Sequence, residues 1–417
     1  MHRAFAATSR IPIVATIVAI LTLSLNLMPA DASVGGTGSA GFGAGRSVNG
    51  PGDPGYGLRA SLPGISSAAY PAFVYAETGE RANSIDEFGA KPTGLTFLGN
   101  VRTGGLSTGT LGFPQNDIGI AAKNGTHGAC LVHADSGGQV ESFAINSSSG
   151  SLTPVSSVPE GDGVTFFPGD VKIDRSNNIA WVSVFSDING TELVSLQIGS
   201  TCALTAGSTF VTSGRQEFYS ISLAGNQLFA IDANSNTAYV YQIGADGLTL
   251  TQESVTPTQV SSPSGTAAGT SGAQAFTFNG RATNNAPQAE AHTLSSGGVL
   301  GPVAGSPSTD FKGQDGSNVY FTQSLGLLTQ TEQQTVSIAA YSVTGGTLHL
   351  VNRVLLDASA IEPTSQTEIA NFLLVLNYFS GTISACRLSA TSGVSDCLHV
   401  ATLTGVPNVK PAGIGVL

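Results

Sequence analysis

Charge is scarce in this chain. Only 10% of its 417 residues are Asp, Glu, Lys or Arg, too few for the charged outer faces of surface helices. No long amphipathic helical pattern appears after residue 32. The four cysteines include no Cys-x-x-Cys pair, which argues against zinc and redox chemistry. Lys and Arg number 16 against 27 Asp and Glu, a net charge of −11. That balance argues against nucleic acid or an anionic membrane surface as a partner. A Gly-rich phosphate loop, a nucleophile elbow and paired zinc histidines are all missing, and Glu160-Gly-Asp162-Gly lacks a defined calcium ligand set. No cofactor is therefore expected.

Glycine, at 53 residues, and an apolar fraction of 41% are what the chain has in quantity. Together they fit many short strands joined by tight turns and are sufficient for a core. Residues 1–32 read as a secretory signal. His2, Arg3 and Arg10 form a basic start, Ile11 to Leu27 are mostly apolar, and Ala30-Asp31-Ala32 fits a small-x-small cleavage site. An uncleaved anchor is the rival reading, disfavoured by the Gly-rich segment that follows. Cleavage leaves 14 basic against 26 acidic residues, net −12, on a chain expected outside the cell or in a periplasm. Residues 33–69, rich in Gly, Ser and Pro, read as a flexible leader. Three glycosylation-type sequons begin at Asn124, Asn146 and Asn189, and they matter only in a eukaryotic source.

A repeat begins near Ala72. Its clearest copy is Gln227 to Pro257, in which three apolar runs are separated by polar turns at Asp232 to Asn236 and Ala245 to Gly247. The residues closing the first run of each copy are Glu77, Asp135, Phe185, Asp232, Asn279, Gln323 and Asn377, spaced by 44 to 58 residues. Partner positions on the next run are Phe88, Phe143, Leu196, Tyr241, His292, Tyr341 and Cys386. Seven such units over residues 70–417 predict an all-β, seven-bladed propeller of four-stranded antiparallel blades. Radial stacking covers faces that a single sheet cannot hide. The first unit lacks a strand before Phe73, so Ala412 to Leu417 are expected to supply it and close the ring. A pair of β-sandwiches is the alternative fold. Disulfides are expected between Cys386 and Cys397, on two strands of one hairpin, and between Cys130 and Cys202, which a meander places on one rim.

Propellers bind ligands at the mouth of the central channel, on loops that feed the innermost strands. The stretch Ser213 to Ile221 offers Arg215, Gln216 and Glu217: an Arg to fork onto a carboxylate and a Glu to act as base. Asp170, after Phe167-Pro168-Gly169 at the start of an inner strand, is a further carboxylate for that mouth. Asp310, with Asp315 nearby, and His127 are candidate ligand contacts. His292, His349 and His399 fall at strand positions near the blade exteriors and read as structural.

In leader, blades and closing strand the chain resembles the seven-bladed lactonase-type propellers, the group of phosphogluconolactonase and the carboxymuconate cyclases. The resemblance covers about residues 70–417 and lies in the repeat pattern. Members often carry Arg-Gln-Glu followed by Pro-His-x-His, and Arg215-Gln216-Glu217 match the first part. Phe218, Tyr219 and Ser220 stand where the histidine stretch would begin. Imidazole is the natural proton carrier near neutral pH, so its absence turns the expectation toward a monomeric binding or scaffold module for a small carboxylate, a lactone or an extracellular protein. Catalysis by Arg215, Glu217 and Asp170 as a lactone hydrolase or cyclase is the alternative.

Overall fold

The chain is seen in a computed structural model that describes residue 62 and residues 72–79, 83–104, 118–122, 129–135, 137–160, 167–174, 176, 178–186, 190–212, 216, 218–260, 263–269, 274–279, 289–308, 316–322, 324–332, 335–344, 347–405, 411 and 413–417. The chain's first strands are Phe73–Glu77 (β1), Ser84–Lys91 (β2) and Gly94–Arg102 (β3). A second group comprises Ile118–Ala122 (β4), Ala129–Asp135 (β5), Gln139–Ile145 (β6) and Leu152–Pro159 (β7). A third comprises Phe167–Asp174 (β8), Ile179–Ser186 (β9), Gly190–Ile198 (β10) and Leu204–Val211 (β11). Next come Phe218–Ala224 (β12), Gln227–Asp232 (β13), Thr237–Ile243 (β14) and Leu250–Pro257 (β15). The fifth group is Pro263–Ala268 (β16), Gln274–Asn279 (β17), Ala289–Leu294 (β18) and Leu300–Pro302 (β19). The sixth is Gly316–Phe321 (β20), Leu327–Glu332 (β21), Ser337–Thr344 (β22) and Thr347–Leu355 (β23). The last is Pro363–Ile369 (β24), Phe372–Asn377 (β25), Thr382–Ser389 (β26) and Gly393–Thr402 (β27), followed by Ile414–Val416 (β28).

These strands form seven four-stranded sheets in up-and-down order, six of them from consecutive strands. The first sheet runs β28-β1-β2-β3, with Val416 opposite Val74 and Ile414 opposite Ala76. The architecture is an all-β propeller of four-stranded antiparallel blades. The innermost strands touch in the order β28, β4, β8, β12, β16, β20, β24 and back to β28. Buried apolar side chains fill the seams between sheets: Val132, Val140, Val182 and Leu196 between the second and third, Trp181, Phe218, Leu228 and Tyr241 between the third and fourth. The outer strands β7, β11 and β15 alternate toward solvent, and β7 carries Pro154 and Pro159 and β15 Pro257, residues that an edge tolerates because no neighbour needs their N–H.

The closing residues of the first runs are the last residues of second strands in five of seven units: Glu77, Asp135, Asp232, Asn279 and Asn377. In the third unit the strand runs one residue past Phe185. In the sixth, Gln323 lies outside the described residues, and Glu332 closes the second strand. The apolar run Val319-Tyr320-Phe321 outshines the true second strand, whose Thr329, Gln330 and Thr331 are polar yet buried. The end residues are polar because they hold the next turn. Asp135 Oδ1 accepts the Gly137 N–H at 2.6 Å, Asp232 Oδ1 that of Asn234 at 3.0 Å, and Asn377 donates to Thr382. The fifth unit repeats weakly in sequence because its outer strand has only 3 residues.

Both disulfides are present. Cys386 and Cys397 join β26 to β27, and Cys130 of β5 reaches Cys202 in the turn after β10, tying the second sheet to the third. Another seam tolerates little change. Gly150 has φ +76°, and a Cβ there would lie 2.2 Å from the Phe73 ring, while its carbonyl accepts the Tyr75 hydroxyl at 2.9 Å. We expect Gly150→Ala to lower stability by about 1–3 kcal/mol, from the left-handed backbone and the forced shift of Phe73. Urea unfolding measures this, and an unchanged midpoint is the contrary result.

Candidate functional site

Five innermost strands, β8, β12, β16, β20 and β24, carry a register irregularity near their first residues, at Pro168/Asp170, Phe218/Ile221, Pro263/Gly265, Gly316/Asn318 and Pro363/Ser365. Three of these strands place Pro there, where a missing ladder donor costs least. A bulge re-aims the side chains that follow it. In this fold it turns them toward the neighbouring blade.

Asp170 is the clearest case. It is completely buried. Its backbone N–H donates to Ser183 Oγ at 3.0 Å, and its Oδ2 accepts the Ile221 N–H at 2.9 Å and the Ser220 hydroxyl at 3.1 Å. Lys172 Nζ, two residues on along the same strand, lies 2.5 Å from Oδ1. Burial raises the Asp170 pKa, opposed by the Lys172 charge and by the hydrogen bonds from Lys172, Ile221 and Ser220. Ser220 Oγ also accepts the Thr266 N–H at 3.2 Å, so a polar chain runs from the third blade through the fourth to the fifth. Farther round, Gln366 Nε2 donates to Asn318 O at 3.1 Å and Gln366 Oε1 accepts the Thr329 hydroxyl at 2.8 Å. The carboxylate expected at the channel mouth is thus the start of an interblade relay.

Gln216 precedes β12, and its Nε2 donates to the Tyr239 hydroxyl at 2.8 Å while its carbonyl accepts the Thr191 hydroxyl at 2.6 Å. The strand itself begins at Phe218. Arg215, Glu217, His127, Asp310 and Asp315 lie outside the described residues. Among the named candidates the structure therefore places Asp170 and Gln216, and both have fixed protein partners.

A second polar cluster joins the first two blades. His133 is fully buried, with Nε2 3.5 Å from Glu77 Oε1 and Nδ1 3.5 Å from Glu141 Oε2. Asn83 Nδ2 donates to Glu77 and approaches Asp135 Oδ2 at 3.5 Å. At these separations the His133 contacts are ion pairs rather than short hydrogen bonds. Burial works against the charged imidazole, but the oxygens of Glu141 and Glu77 and the charge of Asp135 outweigh it and raise its pKa to about 10. Sequence order hid this group, because Glu77 and His133 lie 56 residues apart. An unfolded His titrates near 6.5. The raised folded value makes this contribution complete below pH 6.5 and removes it as pH climbs to about 10. We expect unfolding free energy to fall across that window and the slope to shrink in His133→Gln, as followed by denaturant titration at several pH values. Equal slopes would place the pH dependence elsewhere.

No family model and no curated protein matches this sequence. Solved structures do. A Pseudomonas aeruginosa periplasmic gluconolactonase matches with a TM-score of 0.64 at 15% identity, over 83% of this chain and 99% of its own. A Lactobacillus plantarum protein matches at 0.62 and 16%, over 83% and 99%. A Bacteroides fragilis structure described as a candidate 6-phosphogluconolactonase matches at 0.61 and 14%, over 83% and 98%. Identities this low speak to architecture, and the architecture is the β-propeller that structural relatives of the gluconolactonase type share with this chain.

Proposed function

We infer that this chain is an exported seven-bladed propeller, its ring closed by the C-terminal strand, that binds a small carboxylated ligand at the channel mouth without turning it over. One observation carries the reading. Asp170, the described member of the proposed catalytic set, spends both oxygens on Lys172, Ser220 and the Ile221 N–H in a buried relay, and its complete burial suits a strut between blades rather than a base in reach of a substrate. Two disulfides fit an oxidising compartment and support export. Arg215 is the group assigned by this reading to fork onto the ligand carboxylate. The rival reading, a lactone hydrolase using Arg215 and Glu217, draws on the gluconolactonase neighbour.

Purified protein incubated with a panel of lactones and the matching open carboxylates separates the two. The binding reading expects a rise in melting temperature with a carboxylate, lost in Arg215→Ala, and no lactone opening above the spontaneous rate. Lactone opening that disappears in Arg215→Ala would replace it with the hydrolase. A thermal shift unaffected by Arg215→Ala would move the site elsewhere.

A further inference from the structure

His399 of β27, a strand at the outside of the last blade, has hydrogen-bond partners at both ring nitrogens. Its Nδ1 lies 3.2 Å from Ser359 Oγ and its Nε2 3.0 Å from Thr402 Oγ1. Ser359 Oγ donates its one proton to Asp357 Oδ1. It must therefore accept from Nδ1–H, and that choice fixes the tautomer. Nε2 is left with the lone pair, directed at the Thr402 hydroxyl. Asp357 is held in turn, with Ser384 Oγ donating to Oδ2 at 2.6 Å and the Ser359 N–H to Oδ1 at 2.9 Å. The order is hydroxyl, imidazole, hydroxyl, carboxylate. A nucleophile is in contact with a base, and the base is oriented by a third group backed by a charge.

The scaffold under this relay is firm. The Cys386–Cys397 disulfide joins the two strands that carry Ser384 and His399, two residues away on each. A register shift between Ile383 and Ser384 seats His399 directly opposite Ser384, and bulges turn side chains in this way beside reactive sites. Thr402 is exposed and His399 and Ser359 are half-buried, so a substrate has access. Thr402 pairs with Thr382, whose hydroxyl lies 2.8 Å from Ser380 Oγ, and Ser380 Oγ accepts the Ile361 N–H at 3.3 Å. This leads to two exposed apolar side chains, Ile361 at 50% and Phe379 at 46%, a resting place for an apolar substituent.

We propose that Asp357, Ser359, His399 and Thr402 form an acyl-transfer site at the rim of the last blade, with Thr402 the nucleophile and carboxylic esters bearing an apolar group the substrate class. Thr402 Oγ bonds to the ester carbonyl carbon as His399 Nε2 takes its proton. The tetrahedral species then breaks its bond to the alkoxide, which leaves with the proton from Nε2. Water next attacks the acyl carbon and gives one proton to Nε2. The Thr402 oxygen departs and recovers that proton, so one ester and one water yield one acid and one alcohol. His399 is the general base and acid, and Ser359 and Asp357 are positioning residues. The site is remote in sequence from Arg215 and does not depend on the channel-mouth reading.

The test uses the full chain and p-nitrophenyl acetate. We expect a burst of p-nitrophenolate of one equivalent per chain and one acetyl group on Thr402 by peptide mass spectrometry. The burst rate should drop on the order of 10²-fold or more in Thr402→Ala and in His399→Gln. Thr402→Ser should retain the burst, and Ser359→Ala should slow it and shift its pH profile. Thermal unfolding of each variant reports whether it is folded, and Thr402→Ser, which keeps the hydroxyl, decides the matter where Thr402→Ala is not. No burst, an acetyl group on another residue, or a burst unchanged in folded Thr402→Ala or His399→Gln would overturn the assignment.

Discussion

Removing residues 409–417 is expected to abolish the cooperative fold. Three bonds at the ends of the terminal strand, from Phe73 N to Leu417 O, from Leu417 N to Phe73 O and from Glu77 N to Gly413 O, vanish with it. Each contributes about 1 kcal/mol net. Ile414 is buried in the seam with Val74, Leu374 and Leu376, and its loss adds about 2–5 kcal/mol by the large-to-small precedent. The sum reaches the lower end of the roughly 5–15 kcal/mol that holds a typical domain together. The indirect cost is larger still, because β1 would become an innermost strand with an open ladder, and β28 contacts both β24 and β4. Without it the first and last blades lose their neighbour. The expected result is loss of near-ultraviolet circular dichroism and of a sharp thermal transition at 25 °C. A truncated chain with an unaltered melting curve would show that closure does not rest on this strand.

The repeat was legible in the sequence because its signal is local. A run such as Leu228 to Ile231 followed by Asp232 and a turn marks a second strand wherever the end residue must bind that turn, and Asp135, Asp232 and Asn377 all do so. The pattern fails where burial and polarity part company. Thr329, Gln330 and Thr331 lie buried inside β21; Thr329 donates across the seam to Gln366, 37 residues on, and Thr331 to Asn318 O on the neighbouring strand, and apolar patterning has no access to such partners. Both disulfides are legible, Cys386–Cys397 because one hairpin carries both cysteines and Cys130–Cys202 because a meander fixes which rim each strand end occupies. The site was harder. Asp170 looks like a channel carboxylate in sequence, and its commitment to Ser220 and Ile221, 50 and 51 residues on, becomes visible only when neighbouring blades meet. His399 lies among exposed outer-strand residues, and nothing near it in sequence announces Ser359 at 40 residues' distance.

Cutting the Cys130–Cys202 bridge by the double change to Ala is expected to be the most costly covalent alteration. In the chain-entropy account, a cross-link stabilises by shrinking the unfolded ensemble, more for a longer loop. The bridge spans 72 residues and the Cys386–Cys397 bridge 11, which gives about 4 and about 3 kcal/mol respectively. Position widens the gap. Cys130 and Cys202 are both buried in the seam between the second and third sheets, beside Val132, Leu196 and Leu204, so their removal also leaves a void between blades. Cys386 and Cys397 sit within one sheet, whose β26–β27 ladder holds the hairpin without them. Equilibrium unfolding in guanidinium without reductant should therefore rank the Cys130/Cys202 variant, which keeps only the 11-residue bridge, below the Cys386/Cys397 variant. The opposite ranking would mean that the last blade depends on its staple more than the second and third depend on theirs. It would also shift attention to the hairpin that carries His399, since a blade held mainly by that bond would move its relay whenever the bond is reduced.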